Sequence, residues 1–191
     1  IAHRLAARGH VVLAVDTPGV EEGDVPGRRI HMDAGAHNRA FLAAGGTSAL
    51  ALQLAVLARG LDLLESRGFK KLGVTGASGG ATQALYLQLV DPRVKVAVLA
   101  SAPRVPREAR ASGCPCDQIP GWVGPDPGLL AAMHGPALWI SDVAQPRPEG
   151  LSDAVEYEVM AGPHSYTEPM QRRAIEFIED ELGGGGGEFL I

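Results

Sequence analysis

Gly76-Ala77-Ser78-Gly79-Gly80 is a serine set among glycines, between a strand expected over residues 71–75 and a helix expected over about 81–90. G-x-S-x-G in that setting is a sharp strand-to-helix turn that lifts the serine oxygen to the tip of a sheet. Glycines at both flanks leave room where strand and helix approach. The Gly79 N–H then stands at a helix start, where it can stabilise a developing oxyanion. A serine hydroxyl attacks a carbonyl only if a base takes its proton. Gly162-Pro163-His164-Ser165-Tyr166 supplies one, on a loop between the strand expected at 155–160 and the terminal helix at about 167–182. His134 is the only other histidine after Ser78, and it precedes a strand. The third group is a carboxylate that holds the imidazole tautomer and stabilises imidazolium. Asp142 directly follows the strand at 137–140, and Asp117 on the preceding loop is the alternative. Glu149 lies further on, beyond two prolines.

A second chemistry competes for the same glycines. Val74-Thr75-Gly76-Ala77-Ser78-Gly79-Gly80 is similar to the dinucleotide-binding turn of NAD(P)-dependent short-chain dehydrogenases. That pattern wants a glycine two residues after Gly80, where Thr82 stands, and it belongs on the first strand. The Tyr-x-x-x-Lys pair of those enzymes is also missing: Tyr86, Tyr157 and Tyr166 are followed at that spacing by Val90, Ala161 and Met170. The dehydrogenase reading is therefore the weaker one.

These residues need a rigid frame. Residues 1–8 read as a helix closed by Gly9, and 11–15 as a continuous apolar strand ending at Asp16. A long excursion over 17–47 holds a short helix near 36–43 and leads into an amphipathic helix at 48–66, with Leu50, Leu54, Leu57, Leu61 and Leu64 on one face. Another apolar strand at 94–99 precedes a long loop over 101–128. Strands alternating with helices imply a mostly parallel sheet with helices on both faces. One domain is expected over residues 1–182. Residues 183–191, with the unbroken glycines 183–187, read as a flexible linker or artificial scar outside the fold.

Composition narrows the classes. The 191 residues suit one domain with a sizeable core, and 46% apolar with 20% charged residues excludes a disordered chain. A formal charge of −5 argues against nucleic acid or an anionic membrane as partner, and no apolar run is long enough for a membrane span. The chain begins Ile1-Ala2-His3-Arg4 with neither Met nor a signal pattern, which reads as a fragment or processed product and leaves only a weak lean towards the cytoplasm. Cys114 and Cys116 are too close in sequence for a relaxed disulfide and too few for a zinc site, so a structural loop role is expected. Trp122 and Trp139 read as packing. Asp16 reads as a turn cap that could instead border the cleft.

The chain resembles the α/β-hydrolase superfamily, and within it bacterial esterases related to acetyl xylan esterases. The resemblance rests on Val74 to Gln83, on Asp91-Pro92-Arg93-Val94-Lys95-Val96-Ala97, on Gly113-Cys114-Pro115-Cys116-Asp117, on Ala36-His37-Asn38-Arg39-Ala40 and on Ala161 to Tyr166. It implies a serine esterase with Ser78 as nucleophile, His164 as base, Asp142 or Asp117 as acid and Gly79 as oxyanion donor, needing neither metal nor cofactor. Its substrate would be a small-molecule or carbohydrate ester. Gln145 stands at what looks like the family's aspartate position. The strands that usually precede the first helix are also absent, so the expected sheet is shortened at its N-terminal side. A partner chain or second copy would cover its exposed edge. The opposing class is a truncated, non-catalytic hydrolase-fold binding protein.

Overall fold

Val94–Ala100 and Ala137–Ser141 are almost uninterrupted apolar runs, the composition of strands covered on both faces. They lie side by side in a six-stranded sheet. The computed structural model describes residues 1–17, 49–101, 132–133, 135–144, 146–183 and 188–190. The helices are α1 (Ala2–Ala6), α2 (Ala49–Ser66), α3 (Gly79–Val90) and α4 (Glu168–Leu182). The strands are β1 (Val11–Leu13), β2 (Leu72–Ala77), β3 (Val94–Ala100), β4 (Ala137–Ser141), β5 (Val155–Val159) and β6 (Glu188–Leu190). Sheet order is β1-β6-β2-β3-β4-β5, and every pairing is parallel.

Alternation along the strands divides the core in two. Val96 and Val98 of β3 and Leu138 and Ile140 of β4 face α4, where Met170, Ala174, Ile175, Phe177 and Ile178 recur at helical spacing, and they are joined by Leu5 of α1. On the other face Leu72, Val74, Ala97, Leu99 and Trp139 meet Leu57, Leu61 and Leu64 of α2 and Ala81, Ala84 and Leu85 of α3. Trp139 is 1% exposed and packs in this cluster. Arg93 ties α2 to the turn before β3 through Asp91 at 2.6 Å and Asp62 at 2.7 Å, and its guanidinium holds the Asp91 carboxyl below its ordinary range. Each end of α4 carries its expected signal: Pro169 lies in the first turn and Gly183 closes the helix in a left-handed conformation (φ +81).

Two features differ from the sequence reading. Strand β2 continues to Ala77 and α3 begins at Gly79, so the turn between them is Ser78 alone, tighter than the expected limits of 75 and 81. The larger correction concerns the tail. Residues 188–190 are not outside the fold but form β6, seated between β1 and β2 and parallel to both. Glycines erase any hydrophobic period before it, and a three-residue strand is too short to show one of its own. The expected helix near 36–43, together with Cys114, Cys116, Asp117, Trp122, His134 and Gln145, lies outside the described residues.

Candidate active site

In a parallel sheet, the loops that leave the carboxyl ends of the strands gather on one side and can converge there. Ser78 follows β2, Asp142 follows β4 and His164 follows β5. Ser78 has φ +54 and ψ −117, a conformation that a non-glycine residue rarely adopts. It occupies the N-cap place of α3, yet its hydroxyl makes no capping bond. The oxygen instead stands 2.8 Å from His164 Nε2. Its backbone is pinned on both sides: the Ser78 N–H donates to the Ala100 carbonyl at 3.1 Å, and the Ser78 carbonyl accepts the Thr82 N–H at 3.1 Å.

Tightness at the turn falls unequally on its glycines. A Cβ built at Gly76 would lie 2.4 Å from the Gly80 backbone, whereas one at Gly80 meets nothing within 4 Å. The expectation that both flanks exclude a side chain therefore holds for Gly76 and is corrected for Gly80, because at Gly80 the space beyond the Cα is open. Gly76→Ala is expected to cost roughly 1–3 kcal/mol or more through backbone displacement. Gly80→Ala, in the first turn of a helix, should be neutral or stabilising by up to about 1 kcal/mol. Thermal unfolding of the two variants checks this, and equal losses would contradict it.

His164 Nδ1 lies 2.5 Å from Asp142 Oδ2. An ionised carboxylate only accepts, so Nδ1 carries the proton and Nε2 is left to accept the Ser78 hydroxyl. The Asp142 side chain is 6% exposed and that of His164 is 58% exposed. A buried carboxylate behind an exposed imidazole is an arrangement that can orient the ring from one side and leave the other side open. Two backbone bonds link the Asp142 and His164 loops: Met160 N–H to Ser141 O at 2.8 Å and Gly162 N–H to Asp142 O at 3.0 Å. Ser141 Oγ donates to Val143 O at 2.8 Å, fixing the turn that carries Asp142.

Gly79 is the first residue of α3, and the leading N–H groups of a helix have no partner within it. An oxyanion beside Ser78 would meet this end of the helix. A cavity of about 320 Å³ adjoins the turn through Gly76, Ala77 and Gly80. Asp16, Thr17 and Gln83 also line it, over an apolar floor of Leu57, Val74, Ala84 and Leu87. Gln83 Nε2 donates to Thr17 Oγ1 at 3.3 Å. Asp16 therefore borders this cavity, the less favoured of the two sequence readings for it. Among the described residues, no group of three His, Cys, Asp or Glu side chains is arranged to hold a metal ion.

The architecture decides the comparison. This is the α/β-hydrolase fold. Three structures of a cold-adapted esterase from an Arctic intertidal metagenomic library superpose on the chain. The form bound to PEG gives a TM-score of 0.53 at 18% identity, over 87% of this chain and 68% of that one. Its zinc-bound form gives 0.52 at 21% identity, over 87% and 69%. The native form gives 0.53 at 17% identity, over 91% and 82%. No protein-family model and no curated protein sequence matches the chain. At these identities the likeness is one of fold, and the acetyl xylan esterase subgroup is a finer statement than it carries.

A further set of residues at the site belongs to no local motif. Ser101 Oγ donates to the Ser165 carbonyl at 3.0 Å, and the Thr75 and Tyr166 hydroxyls lie 2.8 Å apart. Burial pushes the Tyr166 phenol well above its ordinary range, against a smaller opposing effect of the Thr75 bond, so it stays a protonated hydroxyl. Each of these contacts joins residues far apart in the chain, and no local spacing announces them.

Proposed function

We propose that this chain is a serine hydrolase that cleaves carboxylic esters, O-acetyl groups on carbohydrate among them, through an acyl-enzyme. The observation that carries the reading is the hydrogen-bonded order Ser78 Oγ, His164 Nε2, His164 Nδ1, Asp142 Oδ2. Ser78 Oγ attacks the ester carbonyl carbon while Nε2 takes its proton. The carbonyl oxygen becomes an oxyanion beside the Gly79 N–H. Collapse of that tetrahedral species breaks the bond to the alcohol oxygen, which leaves with the proton from Nε2. Water then gives a proton to Nε2 as its oxygen attacks the acyl carbon, and collapse breaks the bond to Ser78 Oγ, which takes the proton back from Nε2 as the carboxylic acid leaves. Asp142 stays ionised throughout and stabilises the imidazolium.

Two further points support the reading. A surface with formal charge −5 suits a neutral ester better than a polyanion. The structural neighbours with the same fold are esterases. The opposing view, a non-catalytic hydrolase-fold binding protein, leaves the strained Ser78 backbone without a use.

A fluorophosphonate probe tests the proposal directly. The expected result is a covalent adduct that maps by mass spectrometry to the peptide containing Ser78, with turnover of p-nitrophenyl acetate. Comparing acetate with butyrate and octanoate esters would give the acyl preference. A folded chain that neither takes the probe nor cleaves any of these esters would sink the reading.

A further inference from the structure

Strand β3 lies between β2, which carries Ser78, and β4, which carries Asp142. His164 comes from still further across the sheet, after β5. The Asp142 contact and the bond from Gly162 hold the base to the acid, and neither one fixes its distance from Ser78. That distance is set by what bridges the His164 loop to the ends of β2 and β3. Among the described residues two side-chain bonds do so. Ser101 Oγ holds the carbonyl of Ser165, next to the base, at 3.0 Å. Tyr166, two residues past the base, meets Thr75 of β2 at 2.8 Å. We propose that Ser101 and the Thr75–Tyr166 hydroxyl pair are positioning residues that set the approach of His164 to Ser78, a role that rests on the serine-hydrolase reading above.

The geometry of β3 gives the reason. Its last residue, Ala100, accepts the Ser78 N–H at 3.1 Å, and the next residue, Ser101, holds Ser165. Two adjacent residues thus grip the nucleophile through a carbonyl and the base loop through a hydroxyl, so the two reacting segments share one rigid reference. Ser101 is fully buried (0% exposed) and has φ +44. Glycine would relax that backbone, but it could not hold the Ser165 carbonyl. Among the described residues its hydroxyl also meets the Met170 sulfur at 4.0 Å, a much weaker partner. Thr75 is 3% exposed on an otherwise apolar strand, where a hydroxyl is costly unless it is bonded. Tyr166 satisfies it.

The test compares Thr75→Val, which keeps the shape but loses the hydroxyl, with Thr75→Ser, which keeps the hydroxyl. Tyr166→Phe, the Thr75→Val/Tyr166→Phe double variant and Ser101→Gly complete the set. Probe labelling rate, kcat and KM for p-nitrophenyl acetate, the pH profile of kcat/KM and Tm are measured for each. A positioning role predicts kcat and labelling lower by roughly 10–100-fold in Thr75→Val, Tyr166→Phe and Ser101→Gly, since small misplacements of reacting groups cost that much. It also predicts KM within about twofold, no further loss in the double variant, and activity restored in Thr75→Ser. The acid limb of the pH profile should not move, because the His164–Asp142 contact is untouched. Ser101→Gly, with its backbone relaxed, should lose activity without a matching fall in Tm. Wild-type kcat in these variants overturns the proposal, and so does a loss of activity that only follows Tm. Absence of labelling and turnover in the unaltered chain overturns the hydrolase reading, and the positioning role with it.

Discussion

Ser78→Ala and His164→Ala are each expected to lower kcat by on the order of 10⁶, and the double variant by no more than either alone. Nucleophile and base act as one unit: without the proton acceptor the hydroxyl is inert, and without the hydroxyl the base has nothing to activate. Asp142→Asn should lose less, about 10⁴. The amide is close to the carboxylate in shape, but its NH₂ can donate to Nδ1 and so favour the tautomer with the proton on Nε2. That tautomer cannot accept from Ser78 Oγ, which stands 2.8 Å away. The contact between Asp142 and Nδ1 leads us to expect that Asp117→Asn keeps turnover within about tenfold of the unaltered chain. Steady-state hydrolysis of p-nitrophenyl acetate, with probe labelling to count active sites, separates these cases. If Asp117→Asn were the more damaging of the two substitutions, the acid would have to be reassigned.

What could be read in advance follows from how local each signal is. Ser78 stood out because five consecutive residues between an apolar run and a helix encode the turn. His164 stood out because a histidine after Gly-Pro can only sit on a loop, and the apolar run before it ends at the side of the sheet where Ser78 also lies. Asp142 was ambiguous for a physical reason. A carboxylate one residue past a strand looks the same in sequence whether it faces solvent or, as here, is buried against an imidazole. The ties at Ser101 and Thr75 could not be found in that way, since they join residues 64 and 91 positions apart. They depend on strand register, which a sequence constrains only through which face is buried. Strand β6 is illegible in the sequence for a simpler reason: the glycines before it carry no pattern, and the Glu-Phe-Leu that follows carries too little.

Removing residues 184–191 is expected to abolish cooperative folding of the domain. Strand β6 is neither a terminal ornament nor an edge strand, because it separates β1 from β2, and among the described residues no other strand pairs with β1. Its register is definite: Glu188, Phe189 and Leu190 pair with Val11, Val12 and Leu13 on one side and with Leu72, Gly73 and Val74 on the other. The six backbone groups of three residues, at roughly 0.5–1.5 kcal/mol net for each hydrogen bond, are together worth on the order of 5 kcal/mol. Domains of this size hold only about 5–15 kcal/mol in all. The connection is also short enough to be made within one chain. Lys71, just before β2, donates from Nζ to the Leu182 carbonyl at 3.0 Å, so α4 ends beside the residue whose neighbour Leu72 pairs with Glu188. In sequence, the five glycines 183–187 separate the end of α4 from β6. Circular dichroism with urea titration would show the loss as a broadened transition or none at all. A truncated chain that unfolds at the same midpoint and with the same slope would mean that β1 is held without β6. Ester hydrolysis should fail along with the fold, since β2 carries Ser78 at its carboxyl end and loses one of its two neighbours when β6 is gone.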